Sequence, residues 1–596
     1  MDSFPDPNQP DELRLQGIGV SPGIVNALAH VVGLKTEEPE NRHISTHEIE
    51  HEKNRLKQAL RQTRGQIEEI RQNLEATGGG ERALIFDAHL LVLDDAMVLD
   101  EIRRAVEQQL RSVDRIYYEV TQRYLESLRK ISDPYLRERA VDIEDVSQRV
   151  LRNLRFPNGE GGGITVSGAL DTPHIMVARD LTPSDTVSLD RETMLGFATE
   201  GGSPTSHTAI IARSLNLPAV IGIHDFLKHV REGDPILIDG YHGCVVIRPS
   251  ENTLAEFAQI ESVQRVIREE LEPLRDQETK TLDGRVITLS ANIEFLEELP
   301  QVAKMGAEGV GLYRTEFFYI NEAELRSEER QYENYAQVAE SVTPHGVIIR
   351  TLDIGGDKLF PEEHDTPEPN PFLGWRGIRV SVDRPDMFKM QLRAILRASA
   401  RGKVRIMYPF ISCIEEVREA NRLLGEVRSE LDRDRIAYDH DIEVGAMIEI
   451  PSAVLIADAI AKEVDFFSIG TNDLIQYSTA VDRVNERVGH LYQPSHPAVL
   501  RLIQMTVEAG QRNGIWTGVC GEVAGDVRLT PALIGAGVDE LSVGAAKILP
   551  VRRAVAALDT AECRELLQKW VRMDSASEIL KDCNAVAQEK YPELLG

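Results

Sequence analysis

Arginines and acids recur in the C-terminal half of the chain, each just past a short apolar run, and their types define a chemistry. Arg314 and Glu316 follow GVGLY. Arg350 and Asp353 close and follow VIIRT and lead into Gly355-Gly356-Asp357-Lys358. Glu449 ends VGAMIE, Asn472 and Asp473 follow FFSI with Arg483 shortly after, and Cys520, Gly521 and Glu522 follow TGV. Arginine forks bind phosphate and carboxylate bidentately. Glu449 and Asp473 are hard oxygen ligands suited to Mg²⁺, which keeps several waters and also takes substrate oxygens. Gathered on one rim, these groups describe a site for a small phosphorylated carboxylic acid. The alternative is a set of ion pairs that merely caps the fold, and so many polar groups on successive strand ends weigh against it. Cys520 has two readings: a small buried core residue, or a thiol that protonates a developing carbanion.

A second constellation lies far upstream. Gly201-Gly202-Ser203-Pro204 makes a turn, Thr205-Ser206-His207 follows, and an apolar run through Ala209, Ile210, Ile211 and Ala212 favours helix. A turn followed by a helix puts His207 near a helix N-terminus, where free N–H groups and the macrodipole favour an anion such as a phosphoryl group. Taken alone, His207 is better explained by capping or packing.

The elements that must position these residues follow from periodicity. From 283 onward, eight strand candidates each precede a helical pattern: Val286–Ala291, Gly309–Tyr313, Val347–Thr351, Val404–Tyr408, Val444–Glu449, Phe466–Ile469, Thr517–Cys520 and Glu540–Val543. Such a series predicts a (β/α)8 barrel, whose active site lies at the C-terminal ends of its strands. Upstream, residues 15–32 read as one or two short strands. Residues 40–155 read as helices only, with a capping box at Ser45 and Glu48. Strands at His174–Val177, Met194–Ala198, Ala219–Ile221, Ile236–Asp239 and Cys244–Ile247 then complete the sheet that the first strands begin. Residues 251–275 read as an amphipathic connecting helix that ends near Pro273 and could serve as a hinge.

The expected architecture is therefore multidomain α/β. It comprises a tail at 1–13, an α/β domain of 14–36 and 160–249 carrying His207, an inserted helical bundle at 37–159, a linker helix at 250–276 and the barrel at 277–596. The 596 residues carry 67 Lys+Arg against 97 Asp+Glu, a net charge of −30, which argues against nucleic acid or an anionic membrane as partner. Five scattered cysteines with no C-x-x-C spacing suit reduced cytoplasm. The acidic, proline-bearing start is unlike a signal peptide, and no apolar run approaches ~18 residues.

The motifs, taken in order, resemble those of the phosphoenolpyruvate–protein phosphotransferases, Enzyme I of the bacterial sugar phosphotransferase system. They are GIGVSPGI at 17–24, DLTPSDT at 180–186, TSHTAIIARSLNLPAV at 205–220, GAEGVGLYRTEFF at 306–318, RTLDIGGDK at 350–358, NPFLGWRGIR at 370–379, EVDFFSIGTNDLIQY at 463–477, HLYQPSHPAVL at 490–500 and TGVCGEVAGD at 517–526. The resemblance implies that His207 accepts the phosphoryl group on Nε2, with Thr186 orienting it. It implies that Arg314 and Arg350 hold phosphoenolpyruvate with help from Arg376, and that Asn472 and Arg483 add contacts. Glu449 and Asp473 would hold Mg²⁺, and Cys520 would complete pyruvate by donating a proton. The helical insertion would dock the carrier protein HPr, and the barrel would form a homodimer in the cytoplasm. Two alternatives are a regulatory phosphotransferase that senses phosphoenolpyruvate and a dikinase-like enzyme with a separate nucleotide-binding subunit; the chain has no phosphate loop of Walker type. One departure stands beside His207. The family loop reads Gly-Gly-x-Thr-Ser-His, whereas Ser203-Pro204 adds a residue between Gly202 and Thr205.

Overall fold

The computed structural model describes residues 12–21, 23–32, 39–76, 89–90, 92–129, 134–156, 172–179, 193–202, 212, 217–316, 327–355, 370–483, 485 and 487–595. The chain forms two compact units, Met1–Glu261 and Ser262–Gly596.

In the first unit, eight short strands make one sheet: β1 (Leu13–Gln16), β2 (Ile18–Ser21), β3 (Ile24–Val32), β4 (His174–Ala178), β5 (Met194–Thr199), β6 (Ala219–Ile221), β7 (Pro235–Asp239) and β8 (Cys244–Ile247). Their order is β1-β8-β7-β3-β4-β5-β6-β2. The β3-β4-β5-β6 pairs are parallel, and the remaining pairs are antiparallel. Residues 15–32 thus hold parts of three strands rather than one or two. The first strand opens at Leu13, inside the stretch expected to be a tail. It is held there because Leu13 pairs with Ile247 and the Glu12 carboxylate accepts the Ser250 N–H at 2.8 Å.

Between β3 and β4 run the helices Ile49–Ala76, Ala96–Gln109, Val113–Arg129 and Pro134–Arg155. Apolar residues at helical spacing, among them Leu56, Ala59, Ile102, Val106, Ile116, Val120, Val146 and Val150, form their common core. Glu52 is buried within this bundle but fully satisfied, accepting from Arg42, Arg55 and the Val113 N–H.

The connecting helix spans Glu251–Leu271 and ends in a 3₁₀ turn at Glu272–Leu274. Its first turns lay Leu254, Phe257 and Ile260 against Leu237 and Val246 of the sheet.

The second unit is a closed barrel of eight parallel strands: β9 (Thr288–Ile293), β10 (Val310–Tyr313), β11 (Gly346–Arg350), β12 (Lys403–Tyr408), β13 (Val444–Ile448), β14 (Phe466–Ile469), β15 (Trp516–Val519) and β16 (Glu540–Gly544). These strands are nearly unbroken apolar runs because both faces are covered, as a parallel barrel requires. Leu312, Ile348, Met407, Met447, Phe466 and Cys520 make one buried cluster, and a larger core joins the strands to the surrounding helices. The first strand runs two residues beyond the expected Ala291, which places Glu294 just past its end. At the root of the barrel, Arg552 is almost wholly buried. Its Nε donates to Thr279 Oγ1 at 2.9 Å, its Nη1 to the carbonyls of Leu274 and Arg275, and its Nη2 to that of Gly306 at 2.6 Å.

Candidate active site

The C-terminal ends of successive barrel strands bring the expected rim residues together. Arg350 closes β11, and its guanidinium sits between two acids, with Nη2 2.7 Å from Glu316 Oε1 and Nη1 2.9 Å from Asp353 Oδ2. Arg376 reaches the same Asp353 at 3.1 Å and Asp473 at 3.4 Å. Asp473 lies in the first turn of the helix Thr471–Thr479 that follows β14. Arg314, immediately after β10, is 36% exposed at its side chain and pairs with Glu294. Asn472 turns the other way. Its amide oxygen accepts the Glu522 N–H at 2.9 Å, which ties the end of β14 to that of β15. Arg483 is exposed, with its guanidinium facing Tyr492.

Asp353, Glu449 and Asp473 form a tight carboxylate cluster, with one oxygen of each within 4.8 Å of the others. Glu449 is only 2% exposed. Burial, then the charges of Asp353 and Asp473, push its carboxyl well above the ordinary glutamate range. Burial also works against the charge of Asp353, but Arg350 and Arg376 outweigh it and hold that carboxyl below its ordinary value. Burial raises Glu316, opposed by Arg350. Asp353, Glu449 and Asp473 crowd their carboxylates together, with Arg350 and Arg376 beside them. Hard oxygen donors, crowded carboxylates and a raised carboxyl pKa are what a divalent cation would relieve, so the residues fit a metal ion.

Cys520 is 2% exposed and donates weakly to the Ile469 carbonyl at 3.7 Å. Burial pushes its thiol up to about 11, so it is neutral and carries a proton at physiological pH. Asn292 fixes the Cys520 backbone, donating to its carbonyl at 3.1 Å, and accepts in turn from Ser542 at 2.6 Å.

His207 and Thr186 lie outside the described residues, as do Ser203 and Pro204. The approach to that segment is defined: Thr199 Oγ1 donates to the Gly201 carbonyl at 2.7 Å, and Gly222 N–H donates to it at 3.0 Å.

Some rim residues are not among those expected to act there. The sequence places Asp353 on the rim, and the structure adds it to the carboxylate cluster of Glu449 and Asp473. Tyr477 lies one helical turn beyond Asp473, a spacing that shares a face. Its hydroxyl donates to the Phe372 carbonyl at 2.6 Å and lies 3.3 Å from Arg376 Nη1. Phe410 follows β12, a strand end at which the sequence offers no charged group.

Residues 268–560 match the family model "PEP-utilising enzyme, PEP-binding domain", residues 16–139 match "PEP-utilising enzyme, N-terminal", and residues 170–243 match "PEP-utilising enzyme, mobile domain". A phosphoenolpyruvate-protein phosphotransferase of Staphylococcus carnosus is 41% identical over 570 residues, covering 95% of this chain and 98% of its own. The chain belongs to the phosphoenolpyruvate-protein phosphotransferase family. A second member, from Priestia megaterium, is 40% identical over 568 residues, covering 95% of this chain and 98% of its own. Among solved structures, an NMR solution structure of Enzyme I (nEIt) is similar at 33% identity. It covers 42% of this chain and 99% of that one, with a TM-score of 0.34. Membership in this family makes the chain an enzyme that draws phosphoryl groups from phosphoenolpyruvate, and the whole carboxylate and arginine rim lies inside the matched phosphoenolpyruvate-binding region.

Proposed function

We propose that the protein phosphorylates its own His207 from phosphoenolpyruvate and passes the phosphoryl group to a histidine of an HPr-type carrier, releasing pyruvate as the first step of a sugar phosphotransferase system. The observation that carries this reading is the convergence of Arg314, Arg350 and Arg376 with the Asp353, Glu449 and Asp473 cluster on one barrel rim.

Arg314 and Arg350 hold the phosphate and carboxylate, Arg376 supports them, and Asn472 and Arg483 line the same end. Glu449 and Asp473, with Asp353 beside them, would hold Mg²⁺, which would supply positive charge to neutralise the substrate oxygens. Neutral His207, oriented by Thr186, attacks the phosphorus through Nε2. The N–P bond forms as the bond from phosphorus to the enol oxygen breaks, leaving the enolate of pyruvate. Such transfer depends on positioning and charge stabilisation, without a general base. Cys520 then gives its proton to the enolate carbon and regains one from solvent. His207 must serve a donor and an acceptor site in turn, and the Glu251–Leu271 helix is the hinge for that motion. The helical insertion receives the carrier, the barrel forms a homodimer, and the enzyme works in the cytoplasm. No described helix is long and apolar enough to cross a membrane.

Incubation with ³²P-labelled phosphoenolpyruvate and Mg²⁺ should give acid-labile label on the protein, chased by an HPr-type carrier from the same cell. Label that persists on His207→Ala, or none on the natural chain, overturns the proposal.

A further inference from the structure

Phe410 is unlike its surroundings. It is a bulky aromatic residue, 2% exposed, yet its φ is +58°, in the left-handed region that side chains other than glycine rarely adopt. Such backbone persists where the surroundings over-determine it, and it concentrates at functional sites. Here two contacts depend on it. The Phe410 N–H donates to Glu449 Oε1 at 2.7 Å. The Phe410 ring carries the Arg376 guanidinium 4.7 Å from its centroid and that of Arg379 at 4.9 Å. Tyr477 meets the same ring edge-on at 5.9 Å.

The neighbouring glycines leave room for this arrangement and no more. A Cβ on Gly377 would lie 2.7 Å from Phe410 Cβ and 3.1 Å from Asp353 Oδ1. A Cβ on Gly470 would lie 2.6 Å from Glu449 Oε2. Glu449 is therefore held from both sides, one oxygen by the Phe410 N–H and the other against the Gly470 backbone. The left-handed turn after Pro409 aims that N–H at the carboxylate and, from the same residue, sets the aromatic face under Arg376. An aromatic face attracts a guanidinium through its quadrupole, and the attraction strengthens where water is excluded.

We propose that Phe410 is a positioning residue for this phosphotransferase, orienting Glu449 through its backbone and Arg376 through its ring. This rests on the roles proposed above for Glu449 and Arg376. The two functions separate by substitution. Phe410→Leu removes the aromatic face and keeps bulk. Phe410→Val resists the left-handed backbone because its Cβ is branched. Phe410→Gly keeps that backbone without a ring.

The test measures KM and kcat for phosphoenolpyruvate in His207 labelling, and Mn²⁺ affinity of the substrate-free protein by electron paramagnetic resonance. Phe410→Leu and Phe410→Gly should raise KM about tenfold with kcat changed less and Mn²⁺ affinity retained, a size in keeping with one desolvated cation–π contact. Phe410→Val should weaken Mn²⁺ binding several-fold, whereas Phe410→Tyr should restore KM. If Phe410→Val does not fold, Phe410→Gly and Phe410→Leu still decide the ring's role. An unchanged KM in both, while Arg376→Lys raises it, overturns the proposal alone. An unchanged KM in Arg376→Lys removes the reading beneath it.

Discussion

Arg350 and Asp353, three residues apart at the end of β11, form a buried ion pair with Nη1 2.9 Å from Oδ2. Asp353 also accepts from Arg376, so one carboxylate holds two of the rim's arginines. Removing one partner of a buried pair commonly costs about 3–5 kcal/mol, because the other charge is left uncompensated. Arg350 keeps Glu316, so Asp353→Asn should cost the lower end of that range in denaturant unfolding of the barrel. Asp353 is held below its ordinary pKa, so its stabilisation is present above the ordinary aspartate value and is lost as pH falls through the depressed one. Asp353→Asn should therefore flatten the acid limb of the stability curve. A variant whose acid limb matches the parent would refute the assignment.

Cys520 tests the opposite sign. An unfolded thiol ionises near about 8.5, whereas burial holds Cys520 protonated until about 11. Between those values the folded chain keeps a proton that the unfolded chain has released. Stability must then fall with rising pH, by about 1.4 kcal/mol per unit for one such group. Cys520→Ala should lose its own share of that slope, while other buried groups such as Cys563 and Cys583, both pushed up to about 12, keep theirs. The stability gap between parent and variant should narrow by about 2 kcal/mol from pH 8 to pH 10.5. A constant gap would mean that the folded thiol ionises normally.

Glu449 connects cation binding to protons. Its carboxyl is raised by burial and by Asp353 and Asp473. A cation among these oxygens favours the charged form, so binding should release a proton. Calorimetric titration with Mn²⁺ in buffers of different ionisation enthalpy should reveal release that grows as pH falls, together with weaker binding. Glu449→Gln should release none. Equal release from parent and variant would place the proton elsewhere.

Sequence alone made most of the barrel legible, because strands covered on both faces leave continuous apolar runs, and a charged residue directly after such a run marks the rim. Arg314, Arg350, Glu449 and Asp473 were visible in that way. Glu294 was not, since the first strand extends past Ala291 to Ile293 and so moves the rim by two residues. Phe410 was not, because its contribution is a backbone N–H and a ring face, and neither differs in sequence from ordinary core. The three opening strands read in sequence as only one or two. β1 and β2 are separated by Gly17 alone, and their partners, β8 and β6, lie some 200 residues downstream, beyond any local pattern.

Arg552 offers a prediction away from the rim. Its guanidinium satisfies Thr279 and the carbonyls of Leu274, Arg275 and Gly306 while almost wholly buried. It therefore clasps the end of the connecting segment to the barrel's first residues. Arg552→Met would leave three part-buried carbonyls without this donor, each costing up to about 1–3 kcal/mol. Lysine lacks the planar fork that reaches them together, so Arg552→Lys should rescue little. Both variants should lower the free energy of local opening at the barrel's root by about 3 kcal/mol. Amide exchange should rise sharply across residues 272–279 and stay unchanged at Glu449 and Asp473, because the clasp and the rim share no hydrogen bond. Exchange that rises equally at both places would mean that Arg552 supports the whole barrel rather than its root.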